Sequence, residues 1–181
     1  MTIARMLARI CIGFFFIGHG TQKLFGWFGG PGLDRAGEGF EQLGLKPGRH
    51  NAAAAGAAET AGGAMILTGT ATPLAASLLT GVMLTAIDRV HRPKGPWNSD
   101  GGYEYNAVMI AALLTLVEAG PGSLSVDRAL WHERRGARWS LAALVAGVAG
   151  FAGAKELARR QQQQQSATPE AVTNVQEPLA A

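Results

Sequence analysis

Cysteine occurs once in this chain, at position 11. A single thiol excludes an internal disulfide, a Cys-x-x-Cys redox pair and a tetrahedral thiolate metal centre. Inside an apolar segment, Cys11 reads as a small packing residue. Histidine is sparse too, with His19, His50, His91 and His132 alone. No two of them fall on facing apolar segments, so intrinsic bis-histidine haem is not expected, and no metal site is. The Gly29-Gly30-Pro31-Gly32 run lacks the strand and helix of a dinucleotide fingerprint, and there is no phosphate-binding loop or Ser-His-Asp order.

Charge is the scarcest property where it matters most. From Ala52 to Ile87 the one charged residue is Glu59, and the stretch is broken once, by Thr68-Gly69-Thr70-Ala71-Thr72-Pro73. That leaves room for two bilayer spans of about 20 residues joined by a short turn. A buried hairpin in a soluble protein would carry a polar face on each helix, and neither half does. The chain therefore reads as all-α, an integral membrane helical bundle. Its mean hydropathy of +0.11 is low for that class, because polar loops and a polar tail dilute the spans. The net charge of +3 sits mostly in loops flanking apolar segments, which is membrane-surface charge rather than a nucleic-acid patch.

The first span is Ile3–Trp27; no small-x-small cleavage site follows its apolar centre, so it reads as a retained helix. Residues 29–50 form a Gly-rich polar loop, with a short amphipathic turn at Gly37–Leu45. Span two is Asn51–Gly69 and span three Pro73–Val90, with Pro73 well placed in a first helical turn. A second polar loop runs from Asp88 to Gly102. Span four, Tyr103–Ala119, is short between Glu104 and Glu118 and needs tilt or snorkelling ends. Gly120-Pro121-Gly122 stops it, and Ser125–Arg138 is polar and basic, with Trp131 and Trp139 as interface anchors. A fifth apolar stretch, Trp139–Ala154, is a further candidate span. Residues 1–130 thus make the bundle, 131–155 a basic linker with the possible fifth helix, and 156–181 a disordered polar tail containing five glutamines.

Basic residues divide evenly between the two membrane faces: Arg5, Arg9, Arg128, Arg134, Arg135 and Arg138 flank the side of the N-terminus, and Arg35, Lys46, Arg49, Arg89, Arg92 and Lys94 the other. The dense cluster Arg128, Arg134, Arg135 and Arg138 favours a cytoplasmic N-terminus.

An acid inside a membrane costs several kcal/mol unless paired, so Glu59 is the first functional candidate. It shares a stripe with Ala52, Ala55, Gly56, Gly62 and Gly63, small residues that let neighbouring helices approach and turn Glu59 toward protein. On span one, His19 and Lys23 stand four apart on one face. Contact of Glu59 with Lys23 or His19 would make either a register pin or a proton-handling polar site. Asp88 and His91 at the end of span three, Glu104 at the start of span four, and Gln22 are candidates for the rim of a pocket at the same membrane face. For His91 the plainer reading, a boundary residue solvated by headgroups, is preferred; His50 and His132 read as loop histidines.

Several spaced motifs carry a resemblance. Gly18-His19-Gly20-x-Gln22-Lys23-Leu24-x-Gly26-Trp27 is followed by Ala58-Glu59-x-x-Gly62-Gly63 and Leu67-x-Gly69-x-Ala71-Thr72-Pro73. Glu104-Tyr105-Asn106 and Gly120-Pro121-Gly122-x-x-Ser125-x-Asp127 complete the set. In order and spacing over about residues 3–130, this resembles the DoxX family. The resemblance implies a multi-pass protein of the bacterial plasma (inner) membrane with four helices; residues 131–181 depart from that pattern. It also implies a redox-associated membrane subunit linking sulfur or oxidative-stress chemistry to the quinone pool, with soluble partners of superoxide dismutase and sulfurtransferase type. The chain itself supplies no electron carrier, so such a role needs a bound quinone or a partner's cofactor, and any catalysis would belong to an oxidoreductase complex. The alternative is a non-enzymatic membrane scaffold or assembly factor. A solute transporter is disfavoured, since repeated halves and paired broken helices are lacking.

Overall fold

The computed structural model describes residues 2–130 and 133–167. Trp131, His132 and residues 168–181, to which an interface anchor, a loop histidine and most of the polar tail were assigned, lie outside the described residues. Among the described residues seven α-helices follow one another: α1 Thr2–Phe25, α2 Gly32–Gln42, α3 Gly48–Thr68, α4 Thr72–Ala86, α5 Glu104–Ala119, the single turn α6 Val126–Ala129, and α7 Ala137–Ala167. No strand occurs among the described residues.

Outward side chains decide the solvent. Ile3, Leu7, Ile10 and Phe14 form an exposed stripe along α1, and Leu141, Val145 and Val148 form another along α7. Spacings of three and four put each set on one helix face. Such stripes are costly in water and neutral in lipid, so the protein is membrane-embedded. Among the described residues three helical segments are long and apolar enough to cross a bilayer: Ile3–Phe25, Thr72–Lys94 and Ala137–Gln163. The fifth stretch of the sequence is thus among them, while α3 is built of Ala and Gly and α5 has 16 residues. Each packs one face against the longer helices and leaves another outward: Ile66 of α3 and Leu113 and Val117 of α5 are fully buried, while Val108 of α5 is exposed.

Glycine sets the closeness of α1 and α3. A Cβ on Gly63 would stand 2.8 Å from the Gly13 carbonyl oxygen and from the Ile17 nitrogen. A Cβ on Gly13 would meet the Gly63 oxygen at 2.7 Å. Backbones meet backbones here, the small-residue packing expected of membrane helices. Gly62, on the same stripe, instead receives Leu79 of α4.

At one end of the bundle Arg9 is buried and makes four hydrogen bonds. Its Nε donates to the Ile66 carbonyl (3.0 Å), Nη2 to Leu67 (2.7 Å), and Nη1 to Pro121 (2.7 Å) and Leu124 (2.8 Å). It therefore binds the C-terminal carbonyls of α3 and the loop after α5, and corrects the reading of Arg9 as surface charge. Asp127 completes the knot. It accepts from the Ala71 N–H (2.7 Å), the Thr72 N–H (3.1 Å) and the Thr72 hydroxyl (3.1 Å). These bonds hold Ala71 at φ 43, a left-handed conformation uncommon for a residue with a Cβ, and cap α4.

Two sequence expectations change. The polar loop at 29–50 contains a full helix, α2, rather than a turn at 37–45. The tail expected to be disordered from 156 stays helical to Ala167. Glu, Leu, Ala, Arg and Gln are good helix formers, and extending an existing helix needs no new nucleus.

Gly63→Ala should destabilise the fold by about 1–3 kcal/mol through overpacking. Gly150→Ala on α7, whose Cβ meets nothing within 4 Å, should be neutral or stabilising by up to about 1 kcal/mol. Thermal unfolding in detergent distinguishes the two signs.

Candidate functional site

The other end of the bundle holds the polar site. Lys23, one turn after His19 on α1, reaches across the seam and donates to Glu59 Oε2 at 2.6 Å. It also donates to the His19 carbonyl at 3.3 Å. The Glu59 side chain is 5% exposed and that of Lys23 24%. Glu59 is therefore a buried carboxylate with one charged partner, and Lys23 reaches it from the edge.

This pair forms part of the wall of a cavity of about 280 Å³. Phe15, Phe16, Met83, Ala86 and Met109 supply apolar walls. His19, His91, Asn98, Tyr105 and Asn106 supply polar groups beside the ion pair. Four elements contribute: α1, α3, α5, and α4 with the turns that follow it. The helix continuing α4 widens to a π-turn over Ile87–His91, and such turns recur at functional sites. His91 Nδ1 lies 2.7 Å from the Gly101 carbonyl oxygen. A carbonyl can only accept, so Nδ1 carries the proton and Nε2 is the nitrogen left for another partner.

Asn106 stands out by its poor satisfaction. It is 5% exposed, yet its amide nitrogen donates to the Met83 sulfur at 3.4 Å. A thioether is a weak acceptor, and burying an amide without a good partner costs about 1–3 kcal/mol. The amide therefore suits a bound molecule carrying a hydrogen-bonding oxygen.

The rim differs from that expected. Gln22 backs onto Gly30, whose Cβ position it would fill, and Glu104 is exposed at the start of α5. Asp88 is taken up by Lys155 of α7, whose Nζ donates to Oδ1 at 2.8 Å, with Arg89 at 3.5 Å and Arg92 at 3.7 Å. None of these three is on the cavity wall. Their places are taken by His91, Tyr105 and Asn106. The Glu104-Tyr105-Asn106 run pointed to this corner, but the two residues after the acid are the ones that line it. His91, read as a boundary residue, is a wall residue because the π-turn carries it inward.

Among the described residues no group of three or more His, Cys, Asp or Glu could hold a metal ion. Comparison of the chain with known families gives a match to DoxX over residues 4–92. The chain carries a DoxX-family domain over those residues. The matched region runs from α1 through the π-turn and includes Lys23, Glu59 and His91; α5 and α7 lie beyond it. No curated protein and no solved structure matches the chain.

Removing one partner of a buried pair leaves an uncompensated charge, worth about 3–5 kcal/mol at full burial and less for a pair exposed on the lysine side. Glu59→Ala and Lys23→Ala should each lower the detergent melting temperature, and the double variant should lose less than their sum. A double-mutant cycle yielding a coupling of about 0.5–3 kcal/mol is the expected result.

Proposed function

We propose that this membrane protein, which carries a DoxX-family domain, is a redox-associated subunit of a bacterial inner membrane that binds a quinone headgroup in the cavity. It would link sulfur or oxidative-stress chemistry, carried out by a partner of superoxide dismutase or sulfurtransferase type, to the quinone pool. The observation that carries this reading is Asn106, a buried amide resting on a sulfur at the wall of an apolar-sided cavity. A cavity of about 280 Å³ accommodates one substituted ring, and ligand sites pair apolar walls with a few fixed polar groups. Phe15 is half exposed on the outer side of α1, which leaves the cavity edge beside lipid for a prenyl chain.

Asn106 Nδ2 can donate to a ring oxygen, and Tyr105, the preceding residue of α5, offers a hydroxyl as a second polar group. When bound, a quinone supplies two-electron, two-proton reduction, with the electrons delivered by the partner's cofactor. The protons are the part this chain can handle: Glu59 and Lys23 exchange one across 2.6 Å, and His91 Nε2 offers another site. The scaffold reading keeps one observation in its favour. Lys23 and Glu59 satisfy each other, which a pure register pin would also do.

A short-chain quinone such as decylubiquinone should raise the melting temperature of the purified protein. At a hundredfold excess over Kd, binding contributes about 2.7 kcal/mol. Asn106→Leu, which matches the apolar surroundings, should remove that shift without lowering the melting temperature of the free protein. Glu59→Gln, which keeps the side chain's shape and an acceptor for Lys23, should lose less stability than Glu59→Ala and retain binding, but lose quinone-linked turnover with a partner, because an amide cannot exchange a proton at neutral pH. A full shift in Asn106→Leu would leave the scaffold reading in place.

The N-terminus is proposed to be cytoplasmic, supported by Arg5, Arg128, Arg134, Arg135 and Arg138 gathering at the Arg9 end. Arg134 and Arg138 also lie 5.3 and 5.8 Å from the Trp139 ring, an interfacial pairing of cation and aromatic. Cysteines introduced as Phe40→Cys and Asn98→Cys, in a Cys11→Ser background, should then label from the periplasm and Leu130→Cys from the cytoplasm.

A further inference from the structure

The C-terminal helix α7 reaches the cavity end of the bundle without lining the cavity. Lys155 donates to Asp88 at 2.8 Å, and Asp88 is the second residue of the π-turn Ile87–His91. One turn back on α7, the Phe151 ring lies 5.5 Å from the Lys155 ammonium, which holds that side chain in place. Two turns on, Gln162 donates to the Gly44 carbonyl at 2.8 Å, and Arg89 of the π-turn donates to the adjoining Leu43 carbonyl at 3.3 Å. Helix α7 thus fastens the π-turn and the turn after α2 to one another.

A π-turn is a one-residue widening of an α-helix and is held by its surroundings. If it relaxed to α-geometry, the residue at its end would rotate by about 100° (360° over 3.6 residues). His91 would then leave the Gly101 carbonyl and the cavity wall. Of the three cations around Asp88, Arg89 and Arg92 belong to the same segment and move with it. Lys155 alone comes from another helix.

We propose that α7 is a strap that sets the cavity wall, with Lys155 and Asp88 as positioning residues that hold the π-turn and so aim His91. The role of His91 toward a ligand rests on the quinone reading above; its aim can be read without any ligand.

Diethyl pyrocarbonate labelling of the full chain in detergent, resolved by peptide mass spectrometry, measures this directly. His91 is the reporter, His19 on the opposite wall is the local control and exposed His50 the rate reference. Lys155→Met keeps the side chain's length and removes its charge. It should change the His91 rate several-fold while the His19 rate stays constant, and Lys155→Arg should restore the wild-type rate. An unchanged His91 rate, or parallel changes at His91 and His19, would overturn the strap. Should Lys155→Met fail to fold, the exchanged pair Asp88→Lys with Lys155→Asp decides: a wild-type His91 rate supports the proposal and an altered one ends it. A quinone that fails to bind leaves these rates untouched, so the two readings fail separately.

Discussion

A guanidinium buried in a helical bundle is tolerable only if its donors are met, and Arg9 shows how much order that demand imposes. Its carbonyl partners come from the end of α3 and from the loop that follows α5. These carbonyls belong to a helix end and a loop, where main-chain partners run short; that of Ile66 also accepts from the Gly69 N–H at 3.2 Å. One side chain thus answers several main-chain needs, and in doing so fixes where α3 stops relative to α1 and α5. Asp127 does the complementary task for donors, capping α4 through the Ala71 and Thr72 amides. Lysine could not replace Arg9 here, since a compact ammonium lacks the planar fork that spans separate carbonyls.

The two ends of the bundle differ in how fully their polar groups are satisfied. At the Arg9 end the guanidinium makes four bonds of 2.7–3.0 Å to main-chain carbonyls. At the opposite end Glu59 and Lys23 pair, but Asn106 leans on a sulfur and His91 keeps one nitrogen in reserve. Buried groups left short of partners lower stability; Asn106 stands where the cavity opens, whereas Thr80, whose buried hydroxyl has no partner, faces Gly147 of α7 away from it. The rigid end makes this affordable, because it holds α1, α3 and α5 in register while the cavity walls retain unspent hydrogen-bonding capacity.

Legibility in the sequence followed charge and spacing. Glu59 stood out because no other charge lies between Ala52 and Ile87, and Lys23 because it shares a helix face with His19. Arg9 was misassigned for the opposite reason: a basic residue near the start of an apolar segment has the pattern of a surface flank. Its partners lie 57 to 115 positions away in the chain, which no local pattern reports. Asn106 and His91 were hidden by geometry. The first sits in a helix of ordinary apolar character, and the second depends on a π-turn that sequence periodicity does not announce. Likewise, the glutamine run looked too polar to fold, yet it continues a helix already anchored by Lys155.

The position of α7 bears on how far the family domain carries the function. The DoxX match ends at residue 92, within the turns that follow the π-turn, so it includes Asp88 and His91 but neither Lys155 nor Asn106. Lys23, Glu59 and His91 therefore come with the matched region, while Asn106 and the strap that holds the π-turn come from the chain beyond it. A chain that kept the first set without Lys155 would keep the ion pair and lose the tether on His91. The ion pair and the aimed cavity are for that reason separable features. The first can serve a scaffold as well as a redox subunit, whereas a helix fastened to one turn of the cavity wall has a use only where the shape of that wall matters.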